Sequence, residues 1–250
     1  MSKAKSSRQS KILAELSTSP SLRIADLANL HKVSAETIRR DLDELTRKGY
    51  LSRTYGGAVK AAPSEPAVSE RHRLFIDERE AIARKAVSQL AGAKNILIGS
   101  GSTTVHVARR IAIEMKDLRV ITHSFGVATV LSFNPTIQVL LLPGDYQAGE
   151  GATVGAHAIA FLQGFNADYA IIGASGLSSE GPTEALLECS AVYSAMIARA
   201  RRTLVVADHS KFDLQYPARY ASWQQVDLLV TDQQPGGRLL ESIGPQRICI

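Results

Sequence analysis

"VSAETIRRDLDELTRKGYLSRTYGGAV", residues 33–59, is the stretch on which the reading of the chain turns. Wound at about 100° per residue, it places Ile38, Leu42 and Leu45 on one face. Glu36, Arg40, Asp43 and Arg47 fall opposite, with Thr37 and Arg39 on the flanks. Ser34 is a residue type that caps helix starts, and Gly49 one that ends them, so the pattern predicts a helix from Ser34 to about Lys48. "YLSRTYGGAV" then predicts a short hairpin with Gly56-Gly57 at or beside its bend. Upstream, Ile12, Leu13 and Leu16 predict a helix over about 6–18, and Ile24, Leu27 and Ala28 a second over about 22–30, with Pro20 and Ser21 between them.

A charged helix face is most often just a solvated one, and the neighbouring residues change that reading here. A helix-turn-helix needs a small residue where its helices cross, a tight turn, a buried aliphatic and then a second helix. Ala28, His31-Lys32, Val33 and Thr37-Ile38 supply these in order. Lys32 stands where such turns often carry glycine, and a left-handed residue there costs about 1–2 kcal/mol. The hairpin makes the module a winged variant.

Charge points the same way. Residues 1–60 hold twelve Lys/Arg against six Asp/Glu, whereas the other 190 hold seventeen against eighteen, so the formal net charge of +5 comes entirely from the first quarter. A basic module of this kind meets phosphates. On the helix after Ser34, Arg40 is the candidate base reader, because arginine grips guanine O6/N7 with two donors. Glu36, which can accept from cytosine N4, and Thr37 are its helpers. Lys32, Ser34, Arg39 and Arg53 are candidates for phosphate contacts, and Arg53 with Tyr55 puts the wing at the backbone or minor groove.

Residues 61–76, which begin inside the proline-containing "KAAPSEPAVS", are expected to be a linker between a DNA-binding domain (1–60) and a second domain (77–250). In the second, the helical "EREAIARKAVSQL" precedes the strand "NILIG". "LRVITH", "IQVLLL", "DYAIIG", "TLVVA" and "VDLLV" follow, separated by segments with helical spacing. This alternation predicts an open, mostly parallel α/β sheet covered by helices. Ligands of such sheets bind beyond the carboxyl ends of the strands. There the chain carries Gly99, Gly101, Ser102, Thr103 and Thr104, then Gly173, Ser175 and Gly176, then Asp208 and Lys211. Free N–H groups at a helix start would cradle an anion and Lys211 would add a point charge. The loop lacks the Gly-Lys-Ser/Thr ending of a Walker loop and the third glycine of a dinucleotide fingerprint.

These segments together resemble the DeoR family of bacterial sugar-metabolism regulators. Residues 8–59 are similar to its pattern V-S-x-x-T-I-R-R-D-L followed by a leucine, a glycine and R-x-[HY]-G-G-A. "EREAIAR", "GSGSTT", "ADYAIIGASGL" and "VVADHSKF" occur in the order of its sensor domains, which resemble ribose-5-phosphate isomerase in fold. The resemblance implies a repressor of carbohydrate metabolism genes, with double-stranded operator DNA as partner and a phosphorylated sugar or polyol that relieves binding. It also implies a homo-oligomer, dimer or tetramer. The chain departs from the family at Gly99, where Asp is frequent, at Gly144-Asp145, where Gly-Gly is frequent, and at Cys189-Ser190, where Glu-Ala is common.

The rival is a sugar-phosphate isomerase with a DNA-binding appendage. Such chemistry needs a carboxylate in the pocket, and "GASGL" (173–177) has none where related isomerases carry an acid-rich loop. Glu180, Glu184 and Asp208 are the remaining carboxylates near it, so no catalytic role is expected. The six histidines have no metal-ligand spacing, and no metal or cofactor is expected. The lack of a long apolar run or a cleavable leader, with Cys189 and Cys249 at no metal-ligand spacing, predicts a cytoplasmic protein with no membrane partner.

Overall fold

A computed structural model describes residues 8–9, 11–12, 15, 21–47, 51–54, 57–60 and 65–250. The chain divides into two compact units, Met1–Ser64 and Glu65–Ile250.

In the first unit, helix Ile24–His31 is followed after one turn by helix Ala35–Arg47. Lys32 takes the left-handed conformation, φ 52° and ψ 45°, and its neighbour Val33 donates to the Ala28 carbonyl at 3.1 Å. Ser34 caps the second helix, its Oγ accepting from the Thr37 N–H at 3.2 Å. Ile12, Leu27, Ile38, Leu42, Leu45 and Leu51 form the core. Val33, expected to be buried, is only partly so and packs at the core's margin. The backbone is helical at the described positions between 8 and 15; Leu13, Leu16 and the ends of that helix lie outside the described residues.

The wing has one strand more than the sequence predicts. Leu51–Thr54 and Gly57–Lys60 form the expected hairpin, and Ser21–Arg23, at the start of the stretch read as helix, pairs antiparallel with its second strand. That pairing explains the second glycine of Gly56-Gly57: a Cβ on Gly57 would lie 2.1 Å from the Leu22 carbonyl oxygen.

The second unit is built on seven parallel strands. Across the sheet they run Ile248–Cys249, Leu228–Val230, Ala200–Val206, Ala167–Ile172, Asn95–Ile98, Leu118–Thr122 and Ile137–Leu141. All six strands read from the sequence are present, and Ile248–Cys249 is an addition. Helices cover both faces, so the strands are apolar on both sides. Leu97, Ala170, Ile172 and Val205 face one core, and Ile96, Ile98, Ile171, Leu204 and Val206 the other. Numbered along the chain the strand order is 3-2-1-4-5-6-7, and it reverses direction between Asn95–Ile98 and Ala167–Ile172. In open α/β sheets that reversal opens a crevice at the strands' carboxyl ends.

Two small additions flank that crevice. Gly176–Ser178, Gly181–Glu184 and Ala218–Arg219 form a short antiparallel sheet, and Asp145–Gln147 pairs with Ala152–Val154. The expected linker is also revised. Residues from Glu65 belong to the second unit, with a short helix at Val68–Arg71 whose first N–H bonds the Gly149 carbonyl at 2.9 Å. Among the described residues, no helix is long and apolar enough to cross a membrane.

Candidate functional sites

The outer face of helix Ala35–Arg47 is exposed at Glu36, Arg39 and Arg40. Glu36 lies 3.4 Å from both arginines, with Oε1 toward Arg40 Nε and Oε2 toward Arg39 Nη1. Exposed pairs of this kind hold little energy, so Glu36 positions the guanidinium groups without locking them. Thr37 is half-buried, its hydroxyl 2.9 Å from the Ser34 hydroxyl. Lys32 and Ser34 are exposed at the helix start. Arg53 sits in strand Leu51–Thr54, while its side chain and all of Tyr55 lie outside the described residues. On the opposite side of the helix, Asp41 is buried and paired to Arg8.

In the second unit, the loops after Asn95–Ile98 and Ala167–Ile172 meet at the sheet's reversal. One narrow cavity there is lined by Ser100, Gly101, Ser102, Thr103, Gly173, Ala174 and Lys211 from expected segments, joined by Arg71, Glu184 and Tyr193. Gly101 has φ +126°, a conformation that disfavours any side chain, and it turns the strand into the thirteen-residue helix Ser102–Glu114. That helix has no acidic residue in its first turn, so none of its own side chains offsets the positive end beside the cavity.

The first loop is held from beneath. His123 Nδ1 donates to the Thr153 carbonyl at 2.8 Å, which leaves Nε2 to accept from the Ser100 N–H at 2.9 Å. Burial lowers the His123 pKa to about 4, keeping the ring neutral in that role. The Tyr193 hydroxyl lies 2.8 Å from Ser100 Oγ and donates to the Ser100 carbonyl at 3.1 Å. Gly99 leaves room for that ring, since a Cβ would lie 3.0 Å from it.

Not every expected residue reaches the cavity. Gly99 lies beneath Tyr193, and Thr104 is buried with its hydroxyl donating to the Gly101 carbonyl at 2.8 Å. Ser175 is buried and donates to Glu184 Oε1 at 3.0 Å. Gly176 permits close passage of the Leu214 carbonyl. Asp208 is fully buried and pairs with Arg79 at 3.1 Å, so its place is in the scaffold rather than in the cavity lining.

Glu184, Arg71 and Tyr193 carried no sequence signal of comparable strength. The hairpin 176–184 folds Glu184 back toward the crevice, and the short helix after Glu65 brings Arg71 in. Arg71 was legible only as part of an expected linker. Burial, together with the charges of Glu65 and Glu150, raises the Glu184 pKa to about 7.

That shift has a measurable consequence. The ordinary value is 4.5, so between pH 4.5 and 7 the folded chain holds a proton at Glu184 that the unfolded chain has lost. The stabilisation is complete below about pH 4.5 and is lost as pH rises through 7, on the order of 3 kcal/mol across the window. His106 and His123, each lowered to about 4 mainly by burial, act with the opposite sign as pH falls below their ordinary value. The diagnostic quantity is therefore the wild-type minus Glu184→Gln difference in denaturant stability. It should fall with pH across that window, and a flat difference would show that Glu184 is not held in its neutral form.

A larger hollow, lined by residues including Asp168, Arg201 and Arg202, lies at the amino ends of the strands. Its Asp168 already accepts from the Lys94 and Asn95 N–H groups, and it lies away from the strand reversal.

Comparison with known proteins finds matches to both units. A model of the DeoR-like helix-turn-helix domain matches residues 8–63, and one of the DeoR C terminal sensor domain matches residues 75–233. The HTH-type transcriptional repressor CsqR of Escherichia coli is 32% identical over 232 residues, covering 91% of this chain and 87% of that protein. The glycerol-3-phosphate regulon repressor of the same organism is 31% identical, covering 84% of each chain. GlcR, a repressor from Bacillus subtilis, is 32% identical, covering 84% of this chain and 81% of its own. Among solved structures, eIF2B delta of Chaetomium thermophilum superposes with a TM-score of 0.48 at 15% identity, covering 83% of this chain and 68% of that one. With a helix-turn-helix of this pattern at one end and a sensor-domain match over most of the remainder, the chain belongs to the DeoR family of transcriptional regulators.

Proposed function

We infer that this protein is a DNA-binding transcriptional repressor of carbohydrate metabolism genes, released from its operator by a phosphorylated sugar or polyol. The observation that carries the sensor half is the cavity at the strand reversal, where the start of helix Ser102–Glu114 and Lys211 converge. A phosphate suits that pairing of free N–H groups with a cation. Gly101, Ser102, Thr103 and Lys211 take the phosphate in this reading. Gly173 and Ala174, which also line the cavity, face the carbon chain in this reading, and the unit is read as a sensor of ribose-5-phosphate isomerase-like fold. Differential scanning fluorimetry with a panel of sugar and polyol phosphates tests the site, and a panel with no stabilising member would overturn it.

In the DNA-binding half, Arg40 reads a base and Arg39, Lys32, Ser34 and Arg53 hold phosphates, with Glu36, Thr37 and Tyr55 beside them. Arg40→Ala should weaken specific binding by about 1–3 kcal/mol and relax preference at one base pair. Its side chain is 79% exposed, so the loss should come without a loss of stability. Binding-site selection with the variant checks this, and an unchanged preferred sequence would remove Arg40 as a reader.

One such module makes few contacts, and pairing two raises the effective concentration of the second. The protein should therefore be at least a dimer through residues 65–250. Light scattering of the full chain at micromolar concentration checks the assembly, and a purely monomeric species would contradict it.

The rival isomerase reading rests on Glu184, a carboxyl group in the cavity lining whose pKa burial raises to about 7. Glu184 Oε1 is already engaged by Ser175 Oγ and the Ala185 N–H, at 3.0 and 2.9 Å. Aldose–ketose interconversion of sugar phosphates, lost in Glu184→Gln, would establish that reading instead.

A further inference from the structure

The cavity's two cations are already bound to an anion of the chain itself. One oxygen of Glu65, Oε1, accepts from Arg71 Nη1 at 2.9 Å and from Lys211 Nζ at 2.8 Å. Its side chain is only 3% exposed, and its other oxygen, Oε2, is buried without a hydrogen-bond partner among the described residues. A carboxylate bridging an arginine and a lysine is what a phosphate oxygen would do in the same place.

The charge balance sets the two occupants against each other. Glu65, Glu150 and Glu184 interact electrostatically within one cluster, and Arg71 and Lys211 are the cations that line the cavity. Three carboxyl groups face two cations before any ligand arrives, and Glu184 relieves part of the excess by keeping its proton. A phosphate dianion added to that cluster would meet more negative than positive charge unless a carboxylate left. Glu150 is held by Arg71 through both of its oxygens. Glu65 is the one with an oxygen already unsatisfied.

Position along the chain gives that exchange a consequence. Glu65 is the first residue of the second unit, and the DNA-binding unit is joined to it at Ser64. Among the described residues no backbone hydrogen bond anchors Glu65 or Pro66, and the first backbone anchor is Val68 on Gly149. The Glu65 carboxylate is thus the side chain that fastens the tether's end to the effector cavity.

Resting on the phosphate-site reading above, we propose that Arg71 joins Lys211 in the phosphate seat and that Glu65 occupies this seat as an internal anion, which the effector's phosphate expels. Expulsion unfastens the chain at the entrance to the DNA-binding unit, and operator affinity falls with it. The docked carboxylate also acts as a filter: a weakly charged sugar gains too little from the two cations to displace it, so the site selects phosphate esters over free sugars.

The test uses the full chain and inorganic phosphate as the probe. In isothermal titration, Glu65→Gln should bind phosphate about tenfold more tightly than wild type, because the competing charge is gone, a change of 1.4 kcal/mol by the standard conversion. Arg71→Met should lose phosphate binding. The same Glu65→Gln chain should bind operator more weakly than wild type without ligand. Equal or weaker phosphate binding by Glu65→Gln, with wild type binding measurably, would overturn the internal-anion proposal and leave the phosphate site standing. No binding of inorganic phosphate or of any sugar phosphate to either chain would overturn both. Limited proteolysis of wild type supplies a readout independent of any variant. Phosphate should increase cleavage between residues 61 and 67 while protecting the second unit, and protection of both would count against expulsion.

Discussion

Arg79→Met is expected to destabilise the second unit by about 3–5 kcal/mol, although Arg79 does not itself line the cavity. Its side chain is 2% exposed and pairs at 3.1 Å with an Asp208 that is fully buried. Arg79 also donates to the carbonyls of Arg71 and Leu74. Removing it leaves the buried Asp208 carboxylate without its cation and takes one donor each from the Arg71 and Leu74 carbonyls, and a stranded buried charge costs far more than the pair itself contributes. Asp208 in turn accepts from the Ser210 N–H at 3.2 Å and sets the turn His209–Lys211, so the loss should carry over to Lys211. Chemical denaturation of wild type and variant checks the magnitude, and a loss below 1 kcal/mol would mean that the pair is not the buried link described. Replacing both partners together, Arg79→Met with Asp208→Leu, should recover much of the stability.

Asp208 also marks the limit of what the sequence makes legible. "VVADHSKF" identifies the right strand end, and Lys211 does line the cavity. The one-dimensional pattern cannot separate a carboxylate facing a ligand from one facing an arginine 129 positions away. The same limit holds for Ser175 and Gly176: both lie at the expected strand end, and in the structure their hydroxyl and missing side chain serve Glu184 and Leu214. Local periodicity, by contrast, fixes helix and strand identity strongly. That is why the outer face of helix Ala35–Arg47 and all six expected sheet strands are found as read.

What stayed hidden depends on long-range return of the chain. Glu65 and Arg71 read as linker because prolines and small residues surround them. Their structure comes from Glu150 and Lys211, far away in sequence. Glu184 enters the crevice through a hairpin whose glycines read as a loop. Tyr193 matters because Gly99 vacates the space its ring fills, a pairing across 94 positions. Two of the three departures from the family pattern, at Gly99 and Cys189, fall in this one region. Cys189 is fully buried, and burial raises its thiol pKa above the usual range, so it packs as an apolar residue and not as a reactive one. The Tyr193–Ser100 contact supports the loop after Asn95–Ile98.

A phosphorylated sugar or polyol that fits the cavity is expected to loosen operator binding roughly 5–150-fold, a coupling of about 1–3 kcal/mol. The sensor unit reads no bases, so its ligand can change DNA affinity only by favouring one arrangement of the DNA-binding modules over another. An effector with equal affinity for both arrangements would shift nothing however tightly it bound. Glu65 supplies the difference: docked on Arg71 and Lys211 it excludes phosphate, and undocked it does not. Lys211→Ala separates the steps. The variant keeps Glu65 on Arg71, at 2.9 Å in the wild-type arrangement, and should still bind operator within a few-fold of wild type. It loses the point charge that completes the phosphate seat, so the effector response should shrink at least tenfold on the same scale of 1.4 kcal/mol per decade. Fluorescence anisotropy of labelled operator, titrated with sugar phosphates against both chains, measures both quantities at one ionic strength, as the salt dependence of phosphate contacts requires. A full response in Lys211→Ala would exclude Lys211 from the seat. No response of the wild-type complex to any sugar or polyol phosphate would remove the sensor function, while leaving the DNA-binding face of helix Ala35–Arg47 intact.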